Sequence, residues 1–208
     1  SFKMSDLTAN GLPEEFHELM EYGVLASHVD PFDPMEKAIR HSVEKGAWGK
    51  DHLHKDWSLV RDYPLSDKLL AMSCVWKNVN ESDSYIIATK GAPEAIIDLC
   101  HLPSSQKNEI FNSVKEIAKE GLRVLAVAKA TFPKKNLPKD QHDFFFEWVG
   151  LIGLEDPLRP EVPEAINLCL KAGIRVVMMT GDYPETALKV ARQAGISTSR
   201  SPVTGSEI

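Results

Sequence analysis

The first feature able to do chemistry is a lysine set where a strand-like run meets a proline-led helix, Lys90-Gly91-Ala92-Pro93-Glu94. Gly91 lets the backbone bend and lets a ligand approach closely. Pro93 suits the first helical position. A lysine before an open helix N-terminus makes an anion site; a solvated lysine at a tight turn fits the same residues. Thr180-Gly181-Asp182 directly follows the mostly apolar run from Ile174 to Met179. The C-terminal end of a buried parallel strand is where doubly wound folds bind ligands, and Thr180 has a hydroxyl to donate to phosphate. Asp182-Tyr183-Pro184-Glu185 is equally a helix-capping pattern. In Asp156-Pro157-Leu158-Arg159-Pro160 the planar fork of Arg159 suits a phosphate, or pairs with Asp156 across a proline-rigidified turn. Glu36 fits the third residue of a capping box that starts at Asp33. Arg123 opens a strand beside Gly121, where it reaches a ligand or projects into water. The 7 histidines form no cluster, and His52 and His54 lack a third ligand nearby. No cysteine pair has metal-ligand spacing, and nothing matches a nucleophile elbow or a Walker-type phosphate loop.

These residues need elements to hold them. Asp33-Pro34-Met35-Glu36 predicts a helix that runs to about Lys45 and stops near Gly46. Strands are predicted over Trp57 to Tyr63, Leu70 to Trp76 and Tyr85 to Thr89, with polar turn residues from Asn78 to Ser84 suiting antiparallel pairing. A short helix from Pro93 to Cys100 precedes an amphipathic one capped at Ser104 or Ser105, with Ile110, Phe111, Val114, Ile117 and Ala118 on one face. Gly121 ends it, and Leu122 to Ala130 is the next strand. From Trp148 the pattern changes to strand, helix, strand, helix: Trp148 to Leu154, Glu161 to Ala172, Ile174 to Met179, and Asp182 to Ala194. That alternation signals a parallel doubly wound sheet, and it puts a domain boundary near Phe146 to Gly150.

Composition narrows the class. At 208 residues the chain is long enough for one large domain, or for one domain and part of another, and 43% hydrophobic with 26% charged is ordinary for a globular protein. A net charge of −6 with no basic block argues against nucleic acid as a partner. No apolar run approaches the roughly 20 residues needed to cross a bilayer, and Ser1-Phe2-Lys3-Met4 does not read as a signal peptide. Cys74, Cys100 and Cys169 each sit in an apolar stretch, as buried free thiols do.

Taken together and in order, the motifs resemble the P-type cation-transporting ATPases, especially bacterial type II, calcium-pump-like members. The resemblance spans Asp33 to about Ile196. Lys90-Gly91-Ala92-Pro93-Glu94 is similar to the family's K-G-A-P-E motif, and Gly121-Leu122-Arg123-Val124-Leu125-Ala126 to its G-L-R-x-L-A segment. Asp156-Pro157-Leu158-Arg159 is similar to D-P-P-R, with Leu158 replacing a proline, and Met179-Thr180-Gly181-Asp182 matches M-T-G-D. The resemblance implies an α+β fold: a nucleotide-binding domain over 1–147, an antiparallel sheet flanked by helices, followed by a partial haloacid dehalogenase-like α/β unit over 148–208. It implies that Lys90 lies along the adenine pocket, that Gly91 is among the nucleotide-binding residues, that Glu36 accepts from the adenine amino group, and that Arg123 holds the phosphate chain or ribose. Asp156, Arg159 and Asp182 would meet the nucleotide where the domains join, and Thr180 and Gly181 would bind the transferred phosphoryl group.

The full-length parent so implied is a membrane-embedded pump with this part in the cytoplasm. It couples ATP hydrolysis, through an aspartyl-phosphate and with Mg²⁺, to cation transport. Its partners are ATP or ADP and the remaining actuator, phosphorylation and membrane domains. The sequence departs from the family in three ways. Leu65 occupies the place where the family often stacks adenine on phenylalanine, which leaves hydrophobic cover without stacking, or stacking by Tyr63. Neither D-K-T-G-T nor G-D-G-x-N-D occurs. The chain is therefore expected to bind nucleotide with little hydrolysis and no transport, and to contain no catalytic residue and no metal site. A haloacid dehalogenase-like phosphatase is the alternative enzyme, but Asp6 and Asp30 follow no convincing buried strand. A non-catalytic nucleotide-binding module is the other alternative.

Overall fold

A computed structural model describes residues 12–45, 53–54, 56–78, 83–199 and 201–204. After a 3-10 turn at Glu14–Phe16, helix α1 spans His17–Leu25 and α2 spans Pro34–Lys45. Strands β1 (Ser58–Tyr63), β2 (Ala71–Lys77) and β3 (Ser84–Gly91) lead into α3 (Pro93–Leu99) and α4 (Ser104–Lys119). Strands β4 (Leu122–Pro133) and β5 (Glu147–Glu155) follow, then α5 (Val162–Lys171) and α6 (Pro184–Ala194). The strands form one five-stranded sheet in the order β1-β2-β3-β4-β5, in which β1 with β2, β2 with β3 and β3 with β4 pair antiparallel. The α+β reading with an antiparallel sheet and helices thus stands. The expected stops near Gly46 and part of the turn from Asn78 to Ser84 lie outside the described residues, as does His52.

The described residues form two compact units. The first runs through Lys107 and resumes at Leu125–Ile152; the second comprises Asn108–Val124 and Gly153 onward. In the first, strand alternation sorts β3 onto two faces. Ile87 joins Val75, Ala71, Ala126, Ala128 and the α3 residues Ile96 and Leu99 in one core, closed by Phe144 and Phe146. Ala88 points the other way and packs with Cys74, Trp76, Leu25 and Ala26. The Trp76 indole N–H donates to the Leu25 carbonyl at 2.7 Å, which holds the end of α1 against the sheet. Lys90 is in phase with Ala88, so it too faces α1.

The second unit is held by the end of α4. Thr186 of α6 donates its hydroxyl to the carbonyls of Ala118 (3.3 Å) and Leu122 (3.1 Å), and Lys189 bonds the Glu120 carbonyl. Gly121 turns there with φ +78°, and a Cβ would meet Lys189 Cδ at 2.4 Å. One expectation fails in this unit. Ile174 to Met179 forms no strand, and Ile174, Val177 and Met179 are 55%, 65% and 92% exposed. A parallel strand exists only when a neighbour satisfies its backbone groups, and the one sheet among the described residues leaves this run unpaired. Helix α5 in the same unit also leaves apolar side chains uncovered, with Leu168 60% and Leu170 50% exposed. Trp148 to Leu154 does become a strand, β5, but it joins the antiparallel sheet beside β4.

Candidate functional site

Helix α2 begins as its sequence dictates. Asp33 Oδ1 accepts from the Met35 and Glu36 amides at 2.8 and 3.2 Å, and Pro34 leads the helix. Glu36 does not close the capping box. Its carboxylate turns inward, where Oε1 lies 2.7 Å from Lys90 Nζ and Oε2 accepts from the His28 amide at 3.3 Å. Lys90 also donates to the Ala26 carbonyl at 2.6 Å and to Ser27 Oγ at 2.8 Å. An ammonium has three donors, so all are engaged, and the side chains of the pair are each 6% exposed. Burial pushes the Lys90 ammonium below its ordinary range, and the hydrogen bond and charge of Glu36 only partly oppose that. The adjacent Cys74 thiol is pushed up to about 12 by burial, with Lys90 pulling the other way. Lys90 is therefore not a solvated lysine at a turn; it is the centre of a buried polar node.

Gly91 has a different constraint. A Cβ there would lie 2.2 Å from the Leu70 carbonyl oxygen, and the Ala92 amide donates to that same oxygen at 2.9 Å. The group approaching Gly91 is the protein's own backbone. Leu65 is 59% exposed, beside a tight turn in which Ser66 and Leu69 exchange backbone hydrogen bonds at 3.1 Å. Tyr63 is not available for stacking. It is 5% exposed, its hydroxyl donates to the Pro138 carbonyl at 2.6 Å, its ring meets Phe144 edge-on at 5.5 Å, and the Arg61 guanidinium lies 4.4 Å from its centroid.

A second cluster gathers in the second unit around Arg123. Its Nε lies 3.1 Å from Asp182 Oδ1, and its NH1 approaches Asp156 Oδ2 only to 3.9 Å. Thr180 Oγ1 donates to Asp182 Oδ2 at 2.9 Å and accepts from the Asp182 amide at 3.1 Å. Asp182 is not the cap of α6; the residue at that position is Tyr183, with no side-chain cap bond. Asp156 faces Arg123 rather than Arg159, and Arg159 is exposed. Gly181 has no heavy atom within 4 Å of a Cβ position. Thr180, Gly181 and Asp182 line a cleft of about 1050 Å³ with Arg175, Val177 and Thr204 among its other walls. The Arg123 side chain is 42% exposed. Among the described residues its terminal nitrogens hold only a long contact, so the planar fork has donors left for an anion.

Comparison with known proteins decides the family. The family model for "P-type ATPase, cytoplasmic domain N" matches residues 32–161. The chain belongs to the P-type ATPases. The match begins at Phe32 and takes in Glu36, Lys90, Arg123, Asp156 and Arg159. The sodium/potassium exporting P-type ATPase of Schizosaccharomyces pombe is 36% identical over 174 residues, covering 79% of this chain and 17% of that protein. Calcium-transporting ATPase 1 of Bacillus cereus is 32% identical over 175 residues, 79% of this chain and 19% of that one. The calcium-transporting ATPase of Bacillus subtilis is 30% identical over 171 residues, 77% and 19% respectively. This P-type ATPase chain therefore spans less than a fifth of the length of these relatives. Among the described residues, no helix is long and apolar enough to cross a membrane.

Sequence reasoning missed the partners that complete the Lys90 node. Ala26 and Ser27 follow α1 with no motif of their own, and His28 donates through its backbone. Their only local signal is position: they end a helix whose carbonyls need partners. The pairing with Lys90, 63 residues away for Ser27, is tertiary.

Proposed function

We propose that this chain is the nucleotide-binding part of a P-type pump whose full-length parent couples ATP hydrolysis, through an aspartyl-phosphate, to cation transport. ATP or ADP is its ligand, and the remaining actuator, phosphorylation and membrane domains are its partners in a membrane-embedded protein. Glu36, Leu65, Lys90 and Gly91 serve the base. Arg123, Asp156, Arg159, Thr180, Gly181 and Asp182 serve the phosphates and ribose, with residues 148–208 forming part of a haloacid dehalogenase-like unit. Support comes chiefly from Arg123: it is oriented through Nε by Asp182 at 3.1 Å, while its Nη1 approaches Asp156 no closer than 3.9 Å and its side chain is 42% exposed. A guanidinium held at one edge and open at the other is suited to an anionic, bidentate ligand.

The residues here also limit the chemistry. Lys90 has every donor engaged, so in this arrangement its part is to lie along the base pocket and hold Glu36. The Glu36 carboxylate has acceptor capacity beyond its two contacts, through Oε2. Among the described residues no group of three acidic, histidine or cysteine side chains is placed to hold a metal. Asp156 and Asp182 face Arg123 instead. Mg²⁺ is assigned to the full-length parent, and no step through it is assigned to this chain. The test is calorimetric titration with ATP and ADP: one saturable site of millimolar affinity or tighter is expected, with negligible phosphate release. An absence of heat at millimolar nucleotide would overturn the proposal.

A further inference from the structure

The end of α1 is docked onto the sheet by three side chains in succession. The Leu25 carbonyl accepts from the Trp76 indole at 2.7 Å, the Ala26 carbonyl from the Lys90 ammonium at 2.6 Å, and the Ser27 carbonyl from the Cys74 thiol at 3.9 Å. The last carbonyls of a helix have no partner within it, so these bonds from β2 and β3 fix residues 25–27 in place. His28 is held from α2. Its carbonyl accepts from Arg40 Nη2 at 3.1 Å, and its amide donates to Glu36 Oε2 at 3.3 Å.

Ser27 sits between these anchors, 0% exposed, and its hydroxyl has no choice of direction. Its single proton goes to the Gly23 carbonyl at 2.9 Å, a group that can only accept. Its oxygen therefore turns a lone pair to Lys90 Nζ at 2.8 Å, a group that can only donate. Among the described residues, Ser27 is the one neutral side chain bonded to either member of the Lys90–Glu36 pair. A lysine ammonium carries rotatable donors on a flexible stem. With bonds to Ala26 and Glu36 alone it could pivot about them; the third bond, to Ser27, removes that freedom.

We propose that Ser27 is a positioning residue for the base pocket: its hydroxyl aims the Lys90 ammonium, and through it the Glu36 carboxylate, for nucleotide binding. The inference rests on the nucleotide-binding reading and adds to it a residue that acts through Lys90 rather than on the ligand.

The experiment titrates the whole chain and its Ser27→Ala and Ser27→Thr variants with ADP and, separately, with inorganic tripolyphosphate. It also follows the Lys90 side-chain nitrogen by NMR through a pH titration. Ser27→Ala should weaken ADP binding about three- to tenfold, part of what a hydrogen bond to a charged group is worth, and leave tripolyphosphate binding unchanged. An acceptor on the ammonium favours its charged form, so Lys90 should lose its proton at lower pH in Ser27→Ala than in the unaltered chain. Glu36, Cys74 and Asp33, whose charges also act on that ammonium, are the same in both. Ser27→Thr keeps the hydroxyl and should recover most of the ADP affinity. A purely structural role would lower the thermal midpoint without separating ADP from tripolyphosphate. Unchanged ADP affinity in Ser27→Ala, equal losses for the two ligands, an unmoved Lys90 titration, or a Ser27→Thr variant as weak as Ser27→Ala would each overturn the positioning role alone. No ADP binding by the unaltered chain would overturn the nucleotide reading, and the positioning role with it.

Discussion

Two ion pairs of the same chemistry sit in opposite environments. Lys90 and Glu36 meet at 2.7 Å with their side chains 6% exposed and the ammonium fully bonded. Arg123 and Asp182 meet at 3.1 Å with side chains 42% and 29% exposed, and Arg123 keeps unfilled donors. Desolvation makes a buried pair costly to break, because the surviving partner is left charged and unpaired. Solvent screening makes an exposed pair cheap to break. The first pair therefore belongs to the architecture that presents a binding surface, and the second to the surface that binds. Motif spacing marks both lysine and arginine alike; only burial separates their roles.

The sharpest way to break this contrast is at Lys90. Lys90→Ala should destabilise the first unit by about 3–5 kcal/mol, because Glu36 is left buried without its counter-charge. ATP binding should weaken too, because Lys90 no longer holds Glu36 in place along the base pocket. Urea unfolding measures the first effect. The double variant Lys90→Met with Glu36→Leu removes both charges, so it should regain most of that stability. If the double variant is as unstable as Lys90→Ala, the pair is not what the single substitution breaks.

Gly91→Ala comes next. Its Cβ would lie 2.2 Å from the Leu70 oxygen, and forcing β2 and β3 apart should cost about 1–3 kcal/mol. The same denaturation series would read it, and an unchanged midpoint would mean that the strand end yields easily. Arg123→Ala should lower stability by no more than about 1 kcal/mol, as an exposed pair does.

The smallest effect is in pH. The folded-state pKa of Lys90 is below its ordinary value of 10.5, so the unfolded chain holds that proton more tightly. The burial cost of the ammonium is then fully present at lower pH and is relieved as pH rises through the folded value toward 10.5. Stability of the unaltered chain should rise relative to the Lys90→Met, Glu36→Leu variant across that window, as read from paired thermal midpoints. A relative fall there would reverse the sign assigned to burial.

Much of the first unit was legible because local signals agree with one another. Asp33-Pro34 specifies the start of α2, and the β-branched residues Ile86, Ile87 and Thr89 mark β3. The Lys90-Gly91 junction was legible as a special place, but its contacts were not. Ser27 and Leu70 act there through positions that no local pattern marks. The second unit was read less well. A run such as Ile174 to Met179 has the composition of a buried strand, yet a strand is a relation between neighbours, and none pairs with it among the described residues. The capping pattern at Asp182 misled for a related reason: Arg123 is distant in sequence and takes the carboxylate that local spacing assigns to the α6 amides.

The most direct measurement is calorimetric titration of the Arg123→Ala variant with ATP beside the unaltered chain. The two-pair account predicts affinity lower by about tenfold or more, as for a lost bond to a charged group, with a nearly unchanged thermal midpoint. Unchanged affinity, or a collapse in stability equal to that of Lys90→Ala, would contradict it.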